Sequence, residues 1–589
     1  MQVIATAGHV DHGKSTLVRA LTGMEPDRWD EERRRGLTIG LGFAWTELDG
    51  AEIAFVDVPG HEKFVPTMLA GVGPVPAAMI VVAADAGWMP QSAEHLAALD
   101  ALGVHSGLLV VSRADLADPE PARRQATEII ARTSLRQVSS VAVSAVTGAG
   151  LDDLRSAISA LVKALPPADA DADVRLWIDR SFTLRGAGTV VTGTLAAGRL
   201  HAGDELVIAS TGQPVKIRGL HALGRARDEV AATARVAVNL RGVERHQVPA
   251  GDALVSPDAW LVNEVVEVAV ATDGLPARLM LHIGSAAVPV RVRTLGKHAA
   301  RLTLARGLPL RYGDRVLLRE PGRHQIAAGA TVVALAPPPL RRRGAAAARA
   351  DHLASARSPE AASLLAIRDR GFVTPADLRR AGLPPAGENI AGWQADPDRL
   401  AELAGRMPRL LSAWQTENPL SAGMPADALR HRLALPDRDI LAALVDRAGL
   451  RLGHGVVTSP TNPGNALPAA ISAAVAQLRD HLLTSPFDAP DGQRLADLGL
   501  GPAQLAAAAR TGQLLRLTGG VVLLPDAPRE AVRLLAKLPQ PFTMSAARQA
   551  LGTSRRVAMP LLEFLDRHGS TERLLDDRRR VRQVDLDDS

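Results

Sequence analysis

Residues 8–15 read Gly-His-Val-Asp-His-Gly-Lys-Ser. The apolar run Val3–Ala7 precedes them and the helical pattern Leu17–Leu21 follows. A Gly-x4-Gly-Lys-Ser stretch between a strand and a helix is a phosphate loop. Its glycines let backbone N–H groups close on phosphate oxygens, and Lys14 adds a point charge for the β- and γ-phosphates. The Ser15 hydroxyl is a hard oxygen ligand for Mg2+. The spacing therefore predicts a nucleoside triphosphate held by Asp11, His12, Gly13, Lys14, Ser15 and Thr16.

Outward from this loop, Asp57-Val58-Pro59-Gly60 ends a second apolar run. Asp57 is placed to hold Mg2+ through water, and the Gly60 N–H to sense the γ-phosphate. Thr38 is the candidate second hydroxyl ligand. Segments held by a γ-phosphate and its metal are released on hydrolysis, so 24–40 and 57–72 are the expected switches. Asp115 follows the strand Gly107–Val111 and suits the N1 and N2 edge of guanine. Ser144-Ala145 follows the strand Val138–Val143 and can aim a backbone N–H at guanine O6. The expected cofactors are GTP/GDP and Mg2+.

The chain has 589 residues, 47% hydrophobic, 22% charged, with a formal charge of +5 and no Cys. Disulfides, thiolate metal sites and a Cys nucleophile are excluded. A net charge this small leaves nucleic-acid contact to local basic patches. No run of about 18 apolar residues occurs, so no membrane helix is expected, and the expected location is the cytoplasm. Strands at Gln2–Ala7, Ile53–Asp57, Ala78–Ala83, Gly107–Val111 and Val138–Val143 alternate with helices at Leu17–Leu21, Ser92–Leu102, Pro121–Ile130 and Leu151–Leu161. That alternation predicts an α/β domain with a parallel sheet covered on both faces. From Val174 to about Pro339, short Gly-punctuated β runs predict two β-barrels. Helices with short apolar hairpins dominate thereafter. The expected architecture is multidomain: an α/β P-loop domain at 1–172, β-barrels at 173–258 and 259–340, then helix-and-hairpin modules at 341–416, 417–465, 466–526 and 527–589.

Gly8–Thr16, Asp57-Val58-Pro59-Gly60-His61-Glu62 and Ser144-Ala145, in this order, resemble the translational GTPases of the elongation factor Tu superfamily. The resemblance implies that His61 is the catalytic residue that orients the attacking water, with Val10 and Leu37 as its hydrophobic gate. One departure stands out. The family's Asn-Lys-x-Asp guanine motif is Ser112-Arg113-Ala114-Asp115 here. The resemblance leaves the base contact to Asp115, with Arg113 stacking its stem over the base.

Within that superfamily, Glu31–Ala44, Ile178–Thr183 and Gly186–Thr194 are similar to the selenocysteine-specific elongation factors, the SelB type, which append four winged-helix modules after the barrels. The resemblance implies an aminoacyl pocket of Asp179, Arg180 and Arg235. A selenol is ionised at neutral pH where a serine hydroxyl is not, and two guanidiniums favour the anion. On the residues alone, a structural ion pair fits Asp179 and its arginines as well. The implied partners are selenocysteinyl-tRNA, an mRNA selenocysteine insertion hairpin beside a UGA codon, and the ribosome, with no membrane and a monomeric factor.

The last segment reads as helix–turn–helix followed by a wing. From Pro541 to Gln583 it holds nine Arg against five Asp or Glu, which suits RNA phosphate contact. Arg555, Arg556, Arg573 and Arg578 are the candidate RNA ligands, and a solvated charged face is the alternative. Two other functions stay open at this point: a Tu-like or initiation-type GTPase for another tRNA, and a winged-helix DNA-binding regulator switched by its GTPase.

Overall fold

The computed structural model describes residues 1–26, 38, 40–61, 64–73, 75–322, 325–460 and 467–582. Leu37 of the expected gate, Glu62 and most of the first switch lie outside them.

The first domain is a six-stranded sheet of β1 (Gln2–Ala7), β2 (Gly42–Leu48), β3 (Ala51–Asp57), β4 (Ala77–Ala83), β5 (Ser106–Ser112) and β6 (Ser139–Ala142). Their order is β2-β3-β1-β4-β5-β6, with only β2 antiparallel to its neighbour. Helices cover both faces, so successive residues of one strand enter opposite cores. Val3 and Ala5 face one cluster with Leu99 and Ala126, while Ile4 faces another with Leu17 and Leu154. This double burial explains why these strands read as unbroken apolar runs. The residues expected to bind nucleotide follow the carboxyl ends of β1, β3 and β5, where open α/β sheets bind ligands.

The second domain is an eight-stranded antiparallel sheet curled around Val191, Val236, Val238 and Leu254. The third is a closed barrel of six strands between Val262 and Leu335, filled by Val266, Leu281, Val288, Leu302, Leu318 and Val332. The sequence pattern of two β-rich domains corresponds to these.

The helical region follows. The chain divides into two compact units, the first holding Met1–Glu388 with Gly392–Asp396, the second Asn389–Ala391 with Pro397–Ser589. The helices Ala345–Ser355 and Pro359–Arg370 thus belong with the barrels. Leu353, Ala356 and Leu365 pack on Leu295 and Ala299 of the closed barrel. Beneath them lies a charge network. Glu267, 0% exposed, accepts from Arg301 Nη2 at 2.6 Å and from Arg349 Nε at 2.8 Å, and Arg349 also grips Asp369 through two bonds of 2.8 Å. Burial and the paired carboxylates pull Arg349 in opposite directions, and its pKa ends above the usual guanidinium range. Breaking such a network from one side leaves buried charge unpaired. Arg349→Met is expected to lower the stability of this unit by about 3 kcal/mol, measurable by denaturant unfolding. A cost below a third of that would show the network to be incidental.

The second unit repeats one plan three times: helices, a short recognition-type helix pair, and a hairpin. The last copy runs Ala527–Ala536, Met544–Ala550, Arg555–Arg567 and the wing Thr571–Arg573/Arg579–Val581. Thr543 caps its second helix by accepting the Ala546 N–H at 3.2 Å, which sets where the turn begins. The last two copies share one apolar core that includes Leu482, Leu517, Leu535 and Leu561.

Candidate functional site: a phosphate loop and a charged cleft

Three oxygens converge beside the phosphate loop. Ser15 Oγ donates to Asp57 Oδ2 at 2.6 Å and stands 3.0 Å from Thr38 Oγ1. Thr6 Oγ1 donates to the other Asp57 oxygen at 2.7 Å and accepts the Val58 N–H at 3.1 Å, fixing the carboxylate at the end of β3. Burial pushes the Asp57 carboxyl up; Lys14 and the two hydroxyls oppose that. An all-oxygen set of two hydroxyls and one carboxylate suits Mg2+, which shares its shell with phosphates. Lys14 Nζ donates to the Gly8 and His9 carbonyls at 3.1 and 2.8 Å. Gly60 lies so close that an added Cβ would fall 2.7 Å from Lys14 Nζ and 2.6 Å from the Val10 nitrogen, so only glycine brings this N–H to the phosphate end of the loop. Asp11 and Gly13 sit in left-handed backbone, and Thr16 is exposed on the helix that follows.

His61 is half-buried, with its ring 6.0 Å from that of Phe64. Val10, the described half of the expected gate, is half-buried and gives its N–H to Gln91 Oε1. Two further histidines, His12 within the loop and His95 beside it, are buried. Burial holds His12 down to about 4 and His95 down to about 3, so both rings are neutral. His12 Nδ1 carries a proton, since it faces the Val81 carbonyl at 3.2 Å.

The altered guanine motif grips the loop. Ser112 Oγ donates to the His12 carbonyl at 2.7 Å. Arg113 bonds the Asp11 carbonyl through Nη2 and Asp85 through Nη1 at 3.2 Å. Asp115 is exposed just beyond. Ser144 closes its own turn, giving its N–H to Ala149 at 2.9 Å and accepting Thr147 N–H at 3.1 Å, with Ala145 beside it.

Asp179, Arg180 and Arg235 come together, joined by Phe43 of β2, a residue the sequence reading did not single out. Arg235 binds both Asp179 oxygens, and Thr192 Oγ1 adds a third bond at 2.7 Å. Arg235 and Arg180 stack on Phe43 at 3.9 and 4.9 Å, and Arg180 also donates to the Leu41 carbonyl. Asp179 and Arg180 line an open cleft of about 2110 Å³ whose walls come from the GTPase domain (Pro66), the second domain (Arg245) and the third (Ser285). In the sequence Phe43 was only an aromatic residue, with nothing local to pair it with arginines more than a hundred residues away.

The tail arginines are not brought to one place. Arg555 is exposed at the first turn of its helix, whereas Arg556 donates to the Ala489 and Pro490 carbonyls at 2.6 and 3.2 Å. Arg573 pairs with Asp577 and Arg578 with Asp576 on the wing, at 2.5 Å each.

The profile of the elongation factor Tu GTP-binding domain matches residues 1–164, and that of elongation factor Tu domain 2 matches 188–255. The selenocysteine-specific elongation factor β-barrel profile matches 276–339, and the elongation factor SelB winged-helix profile matches 533–580. The chain is 33% identical over 610 residues to the selenocysteine-specific elongation factor of Escherichia coli K12, covering 97% of both chains. It is 35% identical over 350 residues to that of Desulfomicrobium baculatum, covering 56% of this chain and 55% of that one. Its fold matches the crystal structure of a bacterial selenocysteine-specific elongation factor, with a TM-score of 0.79 at 24% identity, over 99% of this chain and 100% of the other. Among the described residues no helix is long and apolar enough to cross a membrane. The chain is a GTP-binding enzyme that cleaves GTP to GDP and phosphate. With a profile match at each end and a relative aligned along nearly its whole length, it belongs to the family of selenocysteine-specific elongation factors.

Proposed function

We propose that this chain carries selenocysteinyl-tRNA to the ribosome at UGA codons marked by an mRNA stem-loop, in the cytoplasm and as a monomer. The observation that carries the reading is the cluster of Arg180, Arg235 and Asp179 under Phe43, at the wall of a cleft shared by three domains. A selenolate placed there meets guanidinium groups already desolvated on one side by an aromatic face. A neutral serine hydroxyl at the same point leaves that charge poorly paired.

Ser15, Thr38 and Asp57 would hold Mg2+, which supplies charge neutralisation at the β- and γ-phosphates when bound. Lys14 and the loop amides hold the phosphates. Asp115 accepts from guanine N1 and N2, Ser144 shapes the turn, and Ala145 offers its N–H to O6. Arg113, tied to Asp11 and Asp85, holds the loop's carbonyl side while its stem covers the base. His61 orients water for attack on the γ-phosphate. Phe43 lies only a few residues past Thr38, so the segment that reads the γ-phosphate continues into the strand that covers the cargo pocket. Hydrolysis, by loosening Thr38, frees that strand and releases cargo. Arg555 and the wing arginines Arg573 and Arg578 face the mRNA hairpin; Arg556 steadies the module that presents them.

The test compares selenocysteinyl-tRNA with seryl-tRNA on the same tRNA body, by protection from deacylation, with GTP and with GDP. Protection of the selenocysteinyl form at least about a hundredfold stronger, and only with GTP, is expected from charge-selective recognition. Equal protection of both would move the chain to a factor for another tRNA. A preference for duplex DNA over hairpin RNA in the second unit would favour a DNA-binding regulator.

A further inference from the structure

We infer that Gln91 and His95 are positioning residues for the phosphate loop, and that through them the packing of the third domain sets how tightly nucleotide is held. Both lie on the helix Pro90–Leu102, four residues apart and so on one face. Gln91 Oε1 accepts the Val10 N–H at 3.0 Å, and His95 Nδ1 accepts the Gly8 N–H at 3.1 Å. These amides belong to the loop, outside any helix or sheet ladder, so the two side chains supply partners the backbone does not. Gly8 is where the loop departs furthest from ordinary backbone. Its φ is +136°, and a Cβ there would lie 2.2 Å from the Val81 carbonyl. A hydrogen bond at that residue fixes the direction in which the following amides point.

Imidazole accepts at Nδ1 only while neutral, and burial keeps it so at any working pH. The pair therefore acts as a constant geometric clamp. The clamp is set from the far end of the same helix. There Ala101 backs onto the closed barrel, where a Cβ on Gly329 would come within 2.7 Å of the Ala101 Cα, and one on Gly103 within 3.4 Å of Arg315 Nε. Leu99 and Ala98 share their core with Leu317 of the barrel strand Arg315–Glu320. One helix of 13 residues, about 20 Å long at 1.5 Å per residue, thus joins barrel to loop. Any change in loop grip caused by barrel packing is matched by an equal influence of nucleotide on that packing.

The experiment follows release of a fluorescent GDP by stopped flow in the full chain, alongside thermal melting and single-turnover hydrolysis. His95→Leu and Gln91→Leu remove the acceptors and are expected to speed release about tenfold, the equivalent of about 1.4 kcal/mol. His95→Asn and Gln91→Glu keep an acceptor and are expected to stay within about threefold of the parent. Gly329→Ala, a helix length from the nucleotide, is expected to speed release about threefold by displacing Ala101. Release rates that do not distinguish acceptor-keeping from acceptor-lacking variants would overturn the positioning role. Should His95→Leu fail to fold, the half-buried Gln91 decides alone. Parental release in a folded Gly329→Ala protein would overturn the link to the third domain.

Discussion

His61→Ala is expected to lower ribosome-stimulated GTP hydrolysis by about a thousandfold, the middle of the range for a positioned proton-handling side chain, while GTP binds as before. The separation follows from where His61 sits. It comes directly after Gly60, and its own carbonyl accepts the Phe64 N–H at 2.9 Å, a bond that an alanine keeps. Its ring is half-buried against Phe64, while the Gly8 and His9 carbonyls hold Lys14, and Thr6 and Ser15 hold Asp57. On the proposed role, truncation removes the imidazole that orients the attacking water and leaves those contacts to Lys14 and Asp57 in place. Nucleotide affinity and multiple-turnover hydrolysis with ribosomes, measured on one preparation, check both halves. Hydrolysis within about fivefold of the parent would be too small a loss for a group at the reacting water, and the role would pass to another residue.

Arg235→Ala is expected to act twice, on stability and on cargo. Asp179 and Arg235 have side chains only 5% and 12% exposed, and removing one partner of such a pair costs about 3 kcal/mol, with Thr192 left as the surviving donor. Hydrogen exchange in the strand Ala234–Arg241 reads this locally. Selectivity for selenocysteinyl- over seryl-tRNA is expected to fall in the same variant. The double change Asp179→Asn with Arg235→Met separates the two effects. Replacing both charges restores most of the stability, because no lone buried ion remains, whereas selectivity stays lost. If the double variant recovers selectivity too, the pair is structural only and recognition lies with Arg180.

Much of the first domain was legible because its signals are local. The phosphate loop announces itself by glycine spacing, and the doubly buried strands by unbroken apolar runs. Two elements next to the site were not legible. The helix Val65–Val72 contains Pro66 and Gly71, both helix-weakening residues. Gly71 is there for contact, since a Cβ would meet Leu41 at 2.7 Å. The strand Gly42–Leu48 is marked only by the tight Asp49-Gly50 turn that joins it to its partner, both residues at positive φ. Gln91 and His95 were within reach of the sequence: two polar residues at i and i+4 share one helix face directly after the strand that backs the loop. What the replacement of Asn-Lys by Ser112-Arg113 does to the loop was not legible from residue names; both side chains donate to loop carbonyls, of His12 and Asp11. The tail shows the opposite limit. A count of arginines gave a basic module, but pairing assigns carboxylates to the wing and commits Arg556 to a neighbouring module.

The buried quartet of Glu267, Arg301, Arg349 and Asp369 sets where a hybrid of this chain with a relative can be joined. The proline run at Pro337–Pro339 looks like the natural seam for recombination between relatives. A crossover there would hand Glu267 a foreign helix in place of the one carrying Arg349, and the hybrid would inherit an orphaned carboxylate beneath its new segment. Chimeras joined beyond Asp396 keep the quartet whole, so viable hybrids are expected to cluster at that later junction.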